Sequence, residues 1–423
     1  EKSQKSKLKA FDIASEILEA EAKRNLEESQ KVSLNVSEYE KFCDTFKFTE
    51  TPDQERVIRE VIADLLSDKP QDRLICGEVG FGKTEVALRA SFIVAQNDYQ
   101  VCILAPTTVL AKQHFEVFKE RFSEFPYRIC LLTREQTKTE KAEIYKKIKE
   151  NHFSIIIGTH ALFNKEISFK SLNLLIIDEE HKFGVRQKEQ IRSLKNGINV
   201  ISLSATPIPR TLNLSLSKVR DISLITTPPT GRKSVKTIVS RYSKSLVFEA
   251  IQREFYRDGQ VFYLLNNVSM LEEKKKEISD RFPGKTIAFA HGQLRPKELS
   301  KVMQSFIRKE IDLLVCTTII ESGIDIENAN TLIVEESENY GLSQLHQIRG
   351  RVGRSKREAY AYFLLNENKE LKNKASERIE ALQENESLLS GFSLAMRDLE
   401  IRGAGELLGC LLYTSPSPRD DSQ

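Results

Sequence analysis

Between residues 70 and 205, short apolar runs alternate with longer stretches whose apolar residues recur at helical spacing. The runs are Arg73–Cys76, Val101–Ala105, Arg128–Leu132, Phe153–Ile157, Leu172–Ile177 and Val200–Leu203. Each is almost wholly apolar, the pattern of parallel strands covered on both faces. Stretches such as Thr84–Ala95 and Val109–Phe122 lie between them and predict helices. This βαβα alternation predicts a doubly wound sheet. Thr226-Thr227-Pro228-Pro229-Thr230-Gly231 breaks it, because consecutive prolines followed by Gly mark a linker. The alternation then restarts with Val235–Val239, Val261–Leu265, Thr286–Ala290, Asp312–Cys316, Thr331–Val334 and Ala359–Leu365. The pattern predicts an α/β chain of two tandem doubly wound parallel-sheet domains, without a repeated sequence.

The flanks differ. Residues 1–31 carry apolar positions at helical spacing, among them Leu8, Phe11, Ile13, Ile17 and Leu18, and predict an amphipathic helix. A helical stretch from Ala375 to Leu389 and a compact segment to Gly409 follow the second domain. Cys410 to Gln423 is rich in Ser, Pro and Asp and has no periodicity. It reads either as a disordered tail or, the reading favoured by its abrupt start, as non-native sequence. The first residue is Glu1, which predicts a piece of a longer chain.

Composition narrows the class. Of 423 residues, 40% are hydrophobic and 30% charged, a globular balance. Sixty-four basic against 61 acidic residues leave +3, which excludes a histone-like binder but not a basic groove. Cys43, Cys76, Cys102, Cys130, Cys316 and Cys410 form no CxxC pair, so a zinc ribbon is not expected, and buried thiols in a reducing cytosol are. No apolar stretch reaches membrane-spanning length. The expected location is cytoplasmic.

Gly77-Glu78-Val79-Gly80-Phe81-Gly82-Lys83-Thr84 fits GxxxxGK[ST], after a strand and opening a helix. Glycines there turn backbone N–H groups inward around phosphate oxygens, and the helix N-terminus adds positive charge. Lys83 is placed to reach the β- and γ-phosphates of ATP, and Thr84 to ligate Mg²⁺. Asp178-Glu179-Glu180-His181 follows a strand. Asp178 suits Mg²⁺ through water, Glu179 suits the base or orienter of the attacking water, and His181 is assigned a coupling role. In the second domain, Gly350-Arg351-Val352-Gly353-Arg354 spaces guanidinium groups as arginine fingers require, so Arg351 and Arg354 are catalytic candidates. Ser204-Ala205-Thr206 follows another strand and is uninformative alone. Thr317-Thr318 with Glu321-Ser322-Gly323-Ile324-Asp325 is either a plain loop or a grip on backbone phosphate.

Taken in order from Gln54 to Arg354, these segments resemble superfamily-two helicases and translocases. The nearest resemblance is to the motor of the bacterial transcription-repair coupling factors, with the RecG fork-remodelling helicases as near relatives. Phe81 and Glu180 favour the former, since RecG-type proteins more typically carry Ser and Gln there. The resemblance covers residues 5 to 409 and implies two RecA-like domains. It divides the chain into a helical connector (1–35), a first RecA-like domain (36–227), a second (232–370), a truncated translocation motif (371–409) and the tail (410–423).

The resemblance implies that Phe46, Phe48 and Gln54 recognise adenine, with either Phe as the stacking ring. It adds Gly323, Asp325 and Gln347 to the nucleotide-binding residues. Thr107, Thr108, Gln113, Thr159 and His160, with Ser204 and Thr206, become DNA-binding or coupling residues of the first domain. Asn266, His291, Gln293, Thr317 and Thr318 become those of the second. Arg397 and Arg402 would couple domain closure to DNA movement. Cys410 onward departs from the family, as does Glu327, where Pro is usual, and weak or absent translocation is the expectation.

The implied function is an ATP-dependent double-stranded DNA translocase, a monomer with no membrane association. In the intact protein it would displace stalled RNA polymerase and recruit excision-repair protein through other domains. Rival readings are a RecG-like fork-remodelling helicase and a nucleotide-gated DNA-binding scaffold without turnover.

Overall fold

The structure, a computed structural model, describes residues 29–184, 187, 190–191, 197–205, 220–230, 234–317, 326, 328–353 and 357–366. The helix expected over residues 1–31 lies outside these except for 29–31, which are not helical. The stretch from Ala375, the translocation segment with Arg397 and Arg402, and the tail also lie outside the described residues.

The first domain runs α1 (Val36–Asp44), α2 (Pro52–Leu65), β1 (Asp72–Gly77), α3 (Lys83–Ala95), β2 (Gln100–Leu104), α4 (Thr108–Arg121), β3 (Ile129–Leu132), α5 (Lys138–Lys149), β4 (Ile155–Gly158), β5 (Leu172–Asp178), β6 (Asn199–Ser204) and β7 (Asp221–Ile225). Its strands form one sheet in the order β3-β4-β2-β5-β6-β1-β7. The second domain runs β8 (Val235–Arg241), α6 (Lys244–Tyr256), β9 (Gln260–Leu264), α7 (Leu271–Arg281), β10 (Ile287–Ala290), α8 (Pro296–Ile307), β11 (Leu313–Cys316), β12 (Ala329–Val334), α9 (Leu342–Arg349) and β13 (Ala359–Leu365). Its sheet has the order β10-β11-β9-β12-β13-β8. Every pairing in both sheets is parallel. The expected class, two tandem doubly wound α/β domains, is the observed one.

Alternation along the strands explains the apolar runs. Ile103, Ile157 and Ile176 face one core layer of the first sheet, while Cys102, Ile156 and Leu175 face the layer on the other side. Phe262 and Tyr263 divide the second domain's core in the same way. The described cysteines are free. Cys76, Cys102, Cys130 and Cys316 are buried, and burial pushes the Cys102 thiol up to about 12.

Helix starts follow local chemistry. Thr51 and Gln54 form a capping box at α2, with Pro52 in its first turn. Thr107 caps α4 by accepting from the Leu110 amide. Helix α3 differs, since Gly82 precedes it in left-handed backbone (φ +83°) and no side chain caps it. Strand β7 was not foreseen. It pairs with β1, and the linker beyond it is anchored to the first domain, where Asp53 accepts from the backbone N–H and hydroxyl groups of Thr226 and Thr227 at 2.7–3.0 Å.

Candidate nucleotide site and nucleic-acid-facing edges

Parallel register gathers the motifs. Cys76 is level with Ser204, Asp178 with Leu203, and Leu104 with both Ile177 and Gly158. The loops after β1, β2, β4, β5 and β6 therefore leave one sheet edge, the usual ligand-binding end of an open α/β sheet. In the phosphate loop, Gly80 and Gly82 both adopt positive φ. A Cβ on Gly82 would lie 2.2 Å from Gln54 Nε2, so any side chain there must displace the Gln54 amide. Lys83 Nζ donates to the carbonyls of Gly77 and Glu78 at 2.5 and 3.0 Å. Burial in the cleft pulls its amine below the usual range, against the opposing pull of Glu179 and Asp178.

The acidic motif is braced from three directions. Burial pushes the Asp178 carboxyl up, but a 2.8 Å bond from His114 Nε2 and the charges of Lys83 and Arg351 outweigh it and hold it below its ordinary value. Glu179 sits in left-handed backbone (φ +51°), its N–H donating to Leu203 O, and is buried. Burial, then the neighbouring Asp178 charge, raise its carboxyl. Glu180 turns away: Ser202 Oγ and Arg220 Nη1 bond it at 3.0 and 3.1 Å, and Arg220 also pairs with buried Asp72 at 2.7 Å. His181 lies in the short helical turn after Glu179.

The second domain closes the site through α9. Arg351 is buried, and its charge acts on Lys83, Asp178 and Glu179. His346 Nε2 lies 3.4 Å from Glu78 Oε1, and Arg349 Nη2 is 3.1 Å from His346 Nδ1. Gly350 lies against Val79 of the phosphate loop. Gln347 is half-buried on the same helix. Arg354, Gly323 and Asp325 lie outside the described residues.

In the segment expected to recognise adenine, Gln54 is buried and bridges two elements. Its Oε1 accepts from Thr51 N at 2.9 Å, and its Nε2 donates to Phe81 O at 2.8 Å. The two phenylalanines separate clearly. Phe46 packs edge-on to Phe48 at 5.6 Å, with the guanidinium groups of Arg121 and Arg89 5.6 and 5.9 Å from its ring centre. Phe48 is 72% exposed.

Two family models match the chain: DEAD/DEAH box helicase over residues 51–214, and helicase conserved C-terminal domain over residues 244–356. A transcription-repair-coupling factor of Escherichia coli (strain K12) is 47% identical over 406 residues, 96% of this chain and 35% of that protein. The chain belongs to the superfamily-two helicases. The transcription-repair-coupling factor of Buchnera aphidicola subsp. Baizongia pistaciae is also 47% identical to it, over 405 residues and 58% of that protein's length. The chain thus spans about a third to somewhat over half of these relatives. The solved structure of RecG bound to a three-way DNA junction is 34% identical, with a TM-score of 0.76 over 91% of this chain and 51% of that one. As a member of the superfamily-two helicases the chain is an ATP-hydrolysing enzyme.

The family's expected DNA-facing residues fall on the same strand-end edges. In the first domain, half-buried Thr107, Thr108 and Gln113 lie at the start of α4, and buried Thr159 and half-buried His160 follow β4. Arg134 Nε bonds His160 Nε2. Ser204 is buried at the end of β6. In the second domain, the register of β9, β10 and β11 brings Leu264, Ala290 and Cys316 level. Asn266, His291 and Thr317 therefore follow three adjacent strand ends, with Asn266 and Gln293 exposed and Thr317 buried. Thr206 and Thr318 lie outside the described residues. Sequence reading missed His114, Arg220 and the His346–Glu78 contact, and only the proximity of His114 to Gln113 hinted at any of them.

Among the described residues no helix is long and apolar enough to cross a membrane. None of their His, Cys, Asp and Glu side chains form a group of three able to hold a metal ion.

Proposed function

We propose that the chain is an ATP-driven double-stranded DNA translocase motor, which in a longer protein displaces stalled RNA polymerase and couples transcription to excision repair. The observation that carries the reading is the convergence of Lys83, Asp178, Glu179 and Arg351 across one interdomain cleft. Lys83 and the uncapped start of α3 bind the phosphates of ATP. Thr84 and Asp178 supply a hydroxyl and a carboxylate, hard oxygen donors that suit Mg²⁺ shared with phosphate rather than caged by protein. When bound, Mg²⁺ supplies positive charge against the phosphate oxygens. Glu179, made more basic by burial, orients a water and accepts its proton as the water oxygen bonds the γ-phosphorus. The bond from phosphorus to the bridging oxygen breaks, and ADP leaves with the electron pair. Arg351 stabilises the charge developing on the transferred group.

The hydroxyl, amide and imidazole groups on the two strand-end edges suit phosphate and sugar more than base edges, which supports movement with little sequence preference. Closure on ATP and reopening on product release would shift these edges along the duplex. The test is triplex displacement. DNA-stimulated hydrolysis with weak or absent release of the third strand is the expected result for this chain, and robust ATP-dependent release would overturn the expectation of weak translocation. Hydrolysis that duplex DNA does not stimulate would reject the motor reading itself.

A further inference from the structure

Helix α4 touches each part of the proposed machine. Its N-terminus carries Thr107 and Thr108. Val109 packs against the second domain's core, and Lys112 Nζ reaches Ser300 Oγ on α8 at 3.0 Å and pairs with Glu135 at 2.6 Å. At its other end Glu120 pairs with Lys47 at 2.6 Å, and Arg121 lies beside Phe46. Midway, buried His114 points into the nucleotide site and meets Asp178 Oδ2 at 2.8 Å. An ionised carboxylate only accepts, so Nε2 carries the proton and donates.

We propose that His114 is a positioning residue: its Nε2–H holds Asp178 in the orientation that receives MgATP and ties that carboxylate to α4, the helix that also abuts the second domain. This rests on the reading of Asp178 as the Mg²⁺-holding carboxylate. Two features support it beyond packing. A carboxylate at a strand end keeps several rotamers unless a partner selects one, and a hydrogen bond behind a ligand sets its orientation. The bond also joins β5 to α4, so a shift of α4 against α8 is felt at Asp178.

The test compares His114→Gln, whose Nε2 can still donate, with His114→Leu, which keeps bulk and cannot. Asp178→Asn is the control. The primary readout is the affinity of a fluorescent ADP analogue with and without Mg²⁺, followed by kcat and KM for ATP with duplex DNA. H114L is expected to lose about 10-fold or more of the Mg²⁺-dependent gain in affinity, with Mg²⁺-free binding unchanged. Its kcat should fall with it, and H114Q should retain most of both. If H114L keeps the full Mg²⁺-dependent gain while D178N loses it, the inference about His114 is overturned and the reading of Asp178 stands. If H114Q is as impaired as H114L, the side chain acts through packing and the positioning role is overturned. If D178N keeps the gain, the reading of Asp178 itself fails.

Discussion

Replacing Gly82 with alanine probes the joint between the glycine-rich loop and helix α2. The backbone at Gly82 has φ +83°, where an L-residue carries a penalty of about 1–2 kcal/mol. The new Cβ would lie 2.2 Å from Gln54 Nε2, so the Gln54 side chain must withdraw. Withdrawal breaks its bond to Phe81 O, a buried interaction contributing about 1 kcal/mol. Together these predict a loss of about 2–3 kcal/mol, or roughly 5–10 °C in the first domain's melting temperature. Gln54→Ala removes the obstructing side chain and the bond in advance. In that background Gly82→Ala should incur only the backbone penalty, leaving a coupling of about 1 kcal/mol in the double-mutant cycle. The assay is calorimetric melting of the wild type, both single variants and the double variant, with ATP KM measured in parallel. Equal penalties for Gly82→Ala in the two backgrounds would show that Gln54 does not bear on the loop, and the account of this joint would be wrong.

Four further outcomes follow from the same structure. Four donors and Arg56 outweigh the upward push of partial burial and hold the Asp53 carboxyl well below the usual carboxylate range. Its contribution is therefore fully present above the unfolded value of about 3.9 and is lost as pH falls toward the depressed folded value. Asp53→Ala should reduce stability by about 2 kcal/mol at pH 7, with the gap to wild type narrowing below about pH 4; a gap that ignores pH would contradict this. Phe48→Ala should raise ATP KM about tenfold with little change in melting temperature, because an exposed ring is available to stack on a base. Phe46→Ala should instead lower stability by about 1–2 kcal/mol, and ATP titrations with melts on both variants would expose the reverse pattern. Arg220→Met leaves Asp72 and Glu180 without their buried cation and should destabilise the first domain by about 3–5 kcal/mol by the same melting assay.

The fold was legible because the strands are parallel and covered on both faces. Such strands announce themselves as unbroken apolar runs such as Leu172–Ile177, and their loops must emerge at one edge. That rule places Lys83, Asp178 and Ser204 together without any tertiary information. Strand β7 escaped because Ile222-Ser223-Leu224-Ile225 is short, abuts the proline linker and pairs with β1, a partner far back in the chain. The braces of the site escaped for a related reason. His114 meets Asp178 across 64 residues and Arg220 meets Glu180 across 40, and no periodicity or motif encodes such a pairing. Gln54 shows the opposite limit. Its position marks a base-recognition residue, yet its amide caps α2 and grips the phosphate loop, a role visible only once both elements are placed.

Phosphate release in the presence and absence of duplex DNA, for the wild type and Glu179→Gln, tests the proposed motor most directly. The account predicts hydrolysis that rises several-fold with duplex DNA in the wild type. In the variant it predicts a fall of about 100-fold or more, since removing a positioned general base forfeits its 10²–10⁴-fold contribution, while nucleotide binding persists. Release unmoved by DNA, or a Glu179→Gln variant that hydrolyses ATP at the wild-type rate, would contradict it.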